Sequence, residues 1–221
     1  MTEKLSGITG TARTLFESYQ AGDSAAVDRL VAILPSLRKV AESGEVAAQD
    51  LVGGILLEIE ENPSDAASWF RKSAERGSAV GKRSLGHLYA NGLGVAQDLA
   101  QAERLFHEAA GQGDAYAQFN LAQLWWGKRA PEEVAALLRS AAEGGVDDAH
   151  VVLGDLLAAM DQDVEALRWF FVMLKEGNAD RLREAIDLAR GMTDEDIRLA
   201  GSKAGTPGEA EALVGTVAKY R

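Results

Sequence analysis

The sequence predicts an all-α protein, a solenoid of stacked antiparallel helix pairs, and three observations carry that prediction. First, glycines recur at a near-constant step: Gly44, Gly77, Gly113, Gly145 and Gly177 are separated by 33 (44 to 77), 36 (77 to 113), 32 (113 to 145) and 32 (145 to 177) residues. Second, four of them close segments with one internal order, namely AASWFRKSAERG, AERLFHEAAGQG, VAALLRSAAEGG and ALRWFFVMLKEG. In each, an apolar pair (Trp69-Phe70, Leu105-Phe106, Leu137-Leu138, Trp169-Phe170) follows three residues after a small or β-branched one. Third, the chain has only 4 prolines in 221 residues, with 47% hydrophobic content. A period of this length with helical spacing inside it is the mark of stacked repeats.

The elements follow in order. A degenerate helix pair over about 11–20 and 24–43 forms an N-terminal cap, within residues 1–44. Repeats then run over 45–177. Their first helices lie at 47–58, 79–92, 115–127 and 148–160, and superpose when Ala48, Gly81, Ala117 and Ala149 are matched. That register aligns Val52, Leu85, Leu121 and Leu153 as core, followed by the small residues Gly53, Gly86, Ala122 and Gly154, which let the neighbouring helix approach. The glycine-closed segments are the second helices, each ended by a glycine suited to a left-handed cap. Residues 178–221 form a C-terminal cap of helices at about 179–190, 194–204 and 207–220. Thr193 with Asp196, and Thr206 with Pro207 and Glu209, read as capping-box starts for the last two. We expect the whole of 1–221 to be one solenoid domain.

The stretch from Gly81 to Gly113 resembles a complete repeat of the Sel-one-like repeat (SLR) family, relatives of tetratricopeptide repeats. Tyr89, the Gly92-Leu93-Gly94-Val95 turn, Asp98, Ala102, Ala109-Ala110 and Gly113 fall on its consensus, while Gln101 and Leu105 depart from the usual lysine and tryptophan. The other units lack the G-x-G-V turn, and Lys128-Arg129-Ala130-Pro131 or Asp161-Gln162-Asp163 join their helices instead. The resemblance implies a right-handed α/α superhelix that binds other proteins, without cofactor and without chemistry of its own. It also implies that the first helices line the concave surface.

Composition narrows the partners. A formal charge of −11 and a pI near 4.8 repel phosphate backbones and anionic lipid, which argues against nucleic acid and membrane surfaces. No signal-like N-terminus and no run of about 18 apolar residues is present, so we expect a cytoplasmic protein. With no cysteine, thiol catalysis and thiolate metal sites are excluded. His87, His107 and His150 form no metal-ligand spacing, and Glu103 with His107 reads as a solvated i,i+4 pair. Gly92-Leu93-Gly94 follows a helix and lacks a third glycine or a Lys-Ser/Thr, so it reads as a turn, not a phosphate loop. Glu58, Glu60, Glu61 and Asp65 read as a solvated acidic surface.

The candidate binding face comes from helical geometry. With Ala117 at zero, Leu121 falls at about 40°, while Tyr116, Phe119, Gln123 and Trp126 fall at about 260°, 200°, 240° and 180°. Large aromatics thus lie opposite the core stripe. Equivalent positions are Asp50, Gly54 and Leu57, then Arg83, His87 and Ala90, then Asp148, Val151, Asp155 and Ala158, then Arg183, Asp187 and Arg190. The candidate groove comprises Arg83, His87, Tyr116, Phe119, Gln123, Trp126 and Asp155. The competing reading is that stacking, or the C-terminal helix, buries some of these rings as core. Three functions rank in order: an adaptor clamping a peptide or domain of another protein, a neutralising immunity-type partner of a basic toxin, and an enzyme of unspecified reaction. A monomer or weak homodimer is expected, with Leu213, Val217 and Tyr220 sealing the same chain or a second copy.

Overall fold

The computed structural model describes residues 2–175, 177 and 182–220, without side-chain placement for 2–6. Thirteen helices and no strand occur among the described residues. The chain divides into two compact units, residues 1–117 and 118–221, and each is taken by itself.

The first unit opens with α1 (Thr2–Gln20) and α2 (Ala26–Glu42), continues with α3 (Val46–Glu58), α4 (Pro63–Glu75), α5 (Ala79–Asn91) and α6 (Leu99–Ala110), and ends as α7 (Ala115–Trp125) begins. Consecutive helices pack against one another from α1 to α6, and α1 also packs across α3. Ala12, Leu15, Leu30, Leu37, Val52, Ile55, Phe70, Leu88 and Leu105 share one core. The second unit carries the rest of α7, then α8 (Pro131–Glu143), α9 (Asp147–Ala159), α10 (Asp163–Lys175), α11 (Leu182–Ala189), α12 (Asp194–Ala204) and α13 (Pro207–Val217). The expected start of the eleventh helix near 179 lies outside the described residues. Leu167, Phe171, Ile197, Leu213 and Val217 belong to this unit's core, so α13 seals its own chain through Leu213 and Val217. Tyr220, the third residue expected in that seal, stays exposed with the Arg190 guanidinium 5.0 Å from its ring centre.

The glycine ruler is a backbone device. Gly44, Gly77, Gly113, Gly145 and Gly177 all have positive φ, between 84° and 97°. After Gly77, Gly113 and Gly145 the chain closes in the same way. Ser78 N–H donates to Ser73 O (3.0 Å), Asp114 N–H to Ala109 O (3.2 Å) and Val146 N–H to Ala141 O (3.1 Å), each beside a glycine N–H donating three residues back. Those two bonds define the Schellman cap, which consumes carbonyls that a helix end leaves open.

The small residue on each first helix is a notch for a ring on the second. A Cβ on Gly53 would lie 2.6 Å from Phe70 Cε1, one on Gly86 2.9 Å from Phe106 Cε1, and one on Gly154 2.6 Å from Phe170 Cε1. The α5–α6 turn is likewise shaped to its neighbour. Gly94 (φ +67°) has no room for a Cβ beside the Pro63 and Ser64 backbone, and Ser64 Oγ donates to Gly94 O at 3.2 Å.

The two C-terminal caps differ from each other. Thr193 Oγ1 accepts from Asp196 N–H at 3.1 Å and donates to the Asp196 carboxylate at 2.7 Å, a side-chain reciprocity that replaces the usual reach back to backbone. Thr206 corrects the expectation: Pro207 stands at the first helical position, but the Thr206 hydroxyl makes no capping bond and is buried without a partner. Gly201 leaves no room for a Cβ against Ala210 Cβ and Thr206 O. This tight α12–α13 corner holds Thr206 inward, 3% exposed, away from the helix end.

Candidate functional site

The face opposite the core stripe begins as a set of repeat-to-repeat fasteners. In α3, Asp50 occupies the first such position, and Ser78, the residue after Gly77, donates to Asp50 Oδ2 at 2.7 Å while its Oγ accepts from Gly81 N–H at 3.0 Å. One repeat later the register is reused with other chemistry. Arg83 Nε donates to Asp114 Oδ2 at 3.1 Å, and Asp114 Oδ1 accepts from Ala117 N–H at 2.8 Å. Each post-glycine residue thus caps its own helix and holds the preceding first helix, satisfying a helix-end donor at the same time. Phe119 and Val146 hold the next equivalent pair of positions, and there the chemistry turns apolar.

Ser73 adds a second link at the α4–α5 junction. It stands where later repeats have Ala109 and Ala141, and Gly81 where they have Ala117 and Ala149. A Cβ at Gly81 would fall on the Ser73 hydroxyl, so hydroxyl and missing methyl compensate one another. Burial raises the Asp50 carboxyl above the ordinary aspartate value, against the opposing pull of the Ser73 and Ser78 hydroxyls and the Arg83 charge. The Ser73 hydroxyl itself donates to Phe70 O at 3.0 Å, and Asp50 Oδ1 is buried with no hydrogen-bond partner.

Helix α1 turns this face into a cleft. Phe16 fills the space beside Gly54, its Cζ 2.9 Å from where a Cβ would stand, and Tyr19 Oη donates to Glu58 O at 3.2 Å. Gly54, expected as open groove, is therefore covered by the chain's own N-terminal helix. Between α1, α3 and α5 remains a cleft of about 500 Å³ lined by Arg13, Glu17, Asp50, Leu57, Arg83 and others. An adjoining hollow of about 700 Å³ is bounded by Tyr19, Gln20, Glu58, Arg83 and Tyr116.

The seven expected groove residues fall in both units. In the first, Tyr116 is 57% exposed, and the Arg83 guanidinium lies 5.3 Å from its ring centre. His87 is exposed, its Nδ1 3.4 Å from Asn91 Nδ2, and partial desolvation of the ring, followed by the Arg83 charge, lowers its pKa below the ordinary histidine value. In the second unit, Gln123 and Asp155 are exposed, whereas Phe119 is half-buried. Trp126 is 48% exposed but lies past the end of α7, in the turn at Gly127 (φ +69°), its N–H donating to Gln123 O at 3.3 Å. Helical angles do not apply to a residue in that turn. Sequence reasoning missed Arg13, Phe16, Glu17 and Gln20, because α1 carries no repeat pattern to place it.

Chemistry is sparse. No group of three or more His, Asp or Glu able to hold a metal occurs among the described residues, and no described helix is long and apolar enough to cross a membrane. His150 is buried, 5.3 Å ring to ring from Trp169.

Helix pairs closed by left-handed glycines and joined through notches and shared caps define an α/α repeat protein. The family model of the Sel1 repeat matches residues 53–78, 81–114 and 115–146, so that stretch is built of Sel1-type repeats. The Gly154–Phe170 notch continues the pattern beyond it. Among solved structures, a Sel1 repeat protein from Oxalobacter formigenes is similar at a TM-score of 0.56 and 21% identity, over 94% of this chain and 96% of that one. A protective antigen present in uropathogenic Escherichia coli strains, displaying an SLR fold, is similar at a TM-score of 0.53 and 24% identity, over 95% of this chain and 59% of its own. At these identities the likeness speaks for the fold. Comparison with curated proteins gives no match. Sel1 repeat solenoids are typically protein-interaction scaffolds and generally non-enzymatic.

Proposed function

We propose that this chain is a non-catalytic adaptor that binds a segment or domain of another protein through its exposed aromatics. The observation that carries the reading is the contrast among its large aromatics. Phe70, Phe106, Trp169 and Phe170 are each within 4% of complete burial, while Tyr116 and Trp126 keep 57% and 48% of their surface in solvent. Exposed Tyr and Trp, here with Arg83 set over Tyr116, are residue types on which interface energy concentrates, roughly 2 kcal/mol or more for each anchor. Affinity capture from the native host tests it, with the wild type and a Tyr116→Ala/Trp126→Ala variant as baits. We expect the variant to need up to about a thousand-fold more protein than the wild type to recover the partner, from two anchors at roughly 2 kcal/mol each. Equal recovery by both baits overturns the reading.

A neutralising role toward a basic protein is the second reading, favoured by the formal charge of −11. Salt separates the two. Charge-steered neutralisation weakens steeply between low and physiological ionic strength, and an aromatic-centred interface holds.

A further inference from the structure

The cleft between α1, α3 and α5 has a lining of mixed character that specifies more than a generic groove. Phe16, Leu51, Leu57 and Val80 supply apolar wall, and Glu17, Asp50 and Glu58 supply three carboxylates. Against these stand two arginines, and one of them, Arg83, is already paired with Asp114 and set over Tyr116. Arg13, the other, offsets one of the three carboxylates, so the side chains left to meet a guest are apolar with a net charge of −2. Asp50 lies deepest, desolvated and with Oδ1 unpartnered, so the fold leaves a negative charge there that its own donors do not fully answer.

We propose that this cleft receives a lysine- or arginine-bearing segment of a partner protein. The inference rests on the adaptor reading above and adds the chemistry of what is bound. A long cationic side chain has the matching division: its methylene stem runs along Phe16, Leu51 and Leu57, and its charged head meets Glu17 and Glu58 at the rim within the field of Asp50. Coulombic attraction in a partly enclosed site is several times that in open water, so a cation gains there more than at the acidic outer surface. The overall charge of −11 steers such a segment toward the protein.

The test uses the isotopically labelled full chain and follows backbone amide shifts. The probe is an acetylated alanine-leucine peptide with a single central lysine, compared with the same peptide carrying norleucine or glutamate there. The expected result is saturable shifts at Gln20, Asp50, Leu51 and Ser84 with the lysine peptide, at least about fivefold tighter than with norleucine and absent with glutamate. Glu17→Gln/Glu58→Gln, at two exposed positions, should erase that preference while the unfolding midpoint stays in place; Asp50→Asn should weaken it from inside. Equal binding of the norleucine peptide overturns cation recognition and leaves the adaptor reading standing. Shifts confined to residues outside the cleft overturn this site. If no peptide gives saturable shifts, the inference fails, and the adaptor reading is judged separately by capture with the Tyr116/Trp126 variant.

Discussion

In the helix pair α5 and α6, Gly86 leaves a notch and the Phe106 ring fills it; in α7 and α8, Ala122 and Leu138 hold the same two positions, both fully buried. The smaller ring-substitute goes with the larger small residue. The junctions between pairs show the same exchange, Ser73 with Gly81 at one and Ala109 with Ala117 at the next. At these equivalent positions the larger residue of one element goes with the smaller of the other, as close-packed interiors favour. The third repeat differs from the second in a further way. Its Phe119 and Val146 stand where Arg83 and Asp114 form an ion pair, so the polar fastener of the first unit has an apolar counterpart in the second.

The comparison breaks hardest at the notches. Gly53→Ala drives a Cβ to 2.6 Å from the buried Phe70 ring, and we expect a net loss of about 1–2 kcal/mol after the gain of alanine over glycine in a helix. Adding Phe70→Leu, which recreates the alanine–leucine pairing of the third repeat, should make the double variant more stable than Gly53→Ala alone in denaturant unfolding. Strict additivity of the two changes would show that the notch is not a paired volume. Next comes the α4–α5 junction. Gly81→Ala should cost about 1 kcal/mol or more, and Ser73→Ala in the same chain should return part of it, because the nearest obstacle is the Ser73 hydroxyl while the Ala74 backbone N, 2.9 Å away, remains. A thermal midpoint of the double variant no higher than that of Gly81→Ala would contradict this.

The fasteners are smaller effects. Asp114→Ala removes the cap on Ala117 together with the Arg83 pair and should cost about 1 kcal/mol, whereas Asp114→Asn keeps an acceptor and should cost a few tenths. Urea midpoints of the two variants measure the difference, and identical losses would mean that capping contributes nothing. The smallest effect is one of pH. The Asp50 pKa is raised in the folded chain, so between the ordinary aspartate value and that raised value the folded state holds the proton longer, and stability falls as pH rises. Below the window both states are protonated; above it the loss is complete. Asp50→Asn should remove that segment from the variant's own pH profile, so that the difference in unfolding free energy against the wild type changes with pH across the window. A flat difference from pH 3 to pH 7 would show that burial of Asp50 carries no such cost (window placed at about the aspartate range).

Much of this fold is legible in the chain because its constraints are local and repeated. A glycine at positive φ after every second helix, a small residue one place after the core apolar residue of each first helix, and an apolar pair three residues past a small or β-branched one in each second helix fix each pair's register without reference to distant contacts. What escaped was non-repeating or paired across elements. Phe16 sits in a helix without the motif, so nothing in the sequence aims it at Gly54. Ser73 reads as a minor substitution for alanine until Gly81 is seen beneath its hydroxyl. Asp50 and Arg83 were legible as lying off the core stripe, but solvent-facing angle alone does not distinguish a groove wall from a fastener to the next repeat. Trp126 was placed by extrapolating helical angles one residue beyond the helix, and Thr206 by a capping motif whose hydroxyl the tight α12–α13 corner turns inward.

The adaptor reading is tested most directly by asking which surface touches a partner. Photo-crosslinking with Tyr116→benzoylphenylalanine and Trp126→benzoylphenylalanine should trap a common protein from the native host. The same probe at Val31 and Leu99, exposed apolar positions on α2 and α6, should not. Crosslinks to that protein at 31 or 99, with none at 116 and 126, would contradict the account.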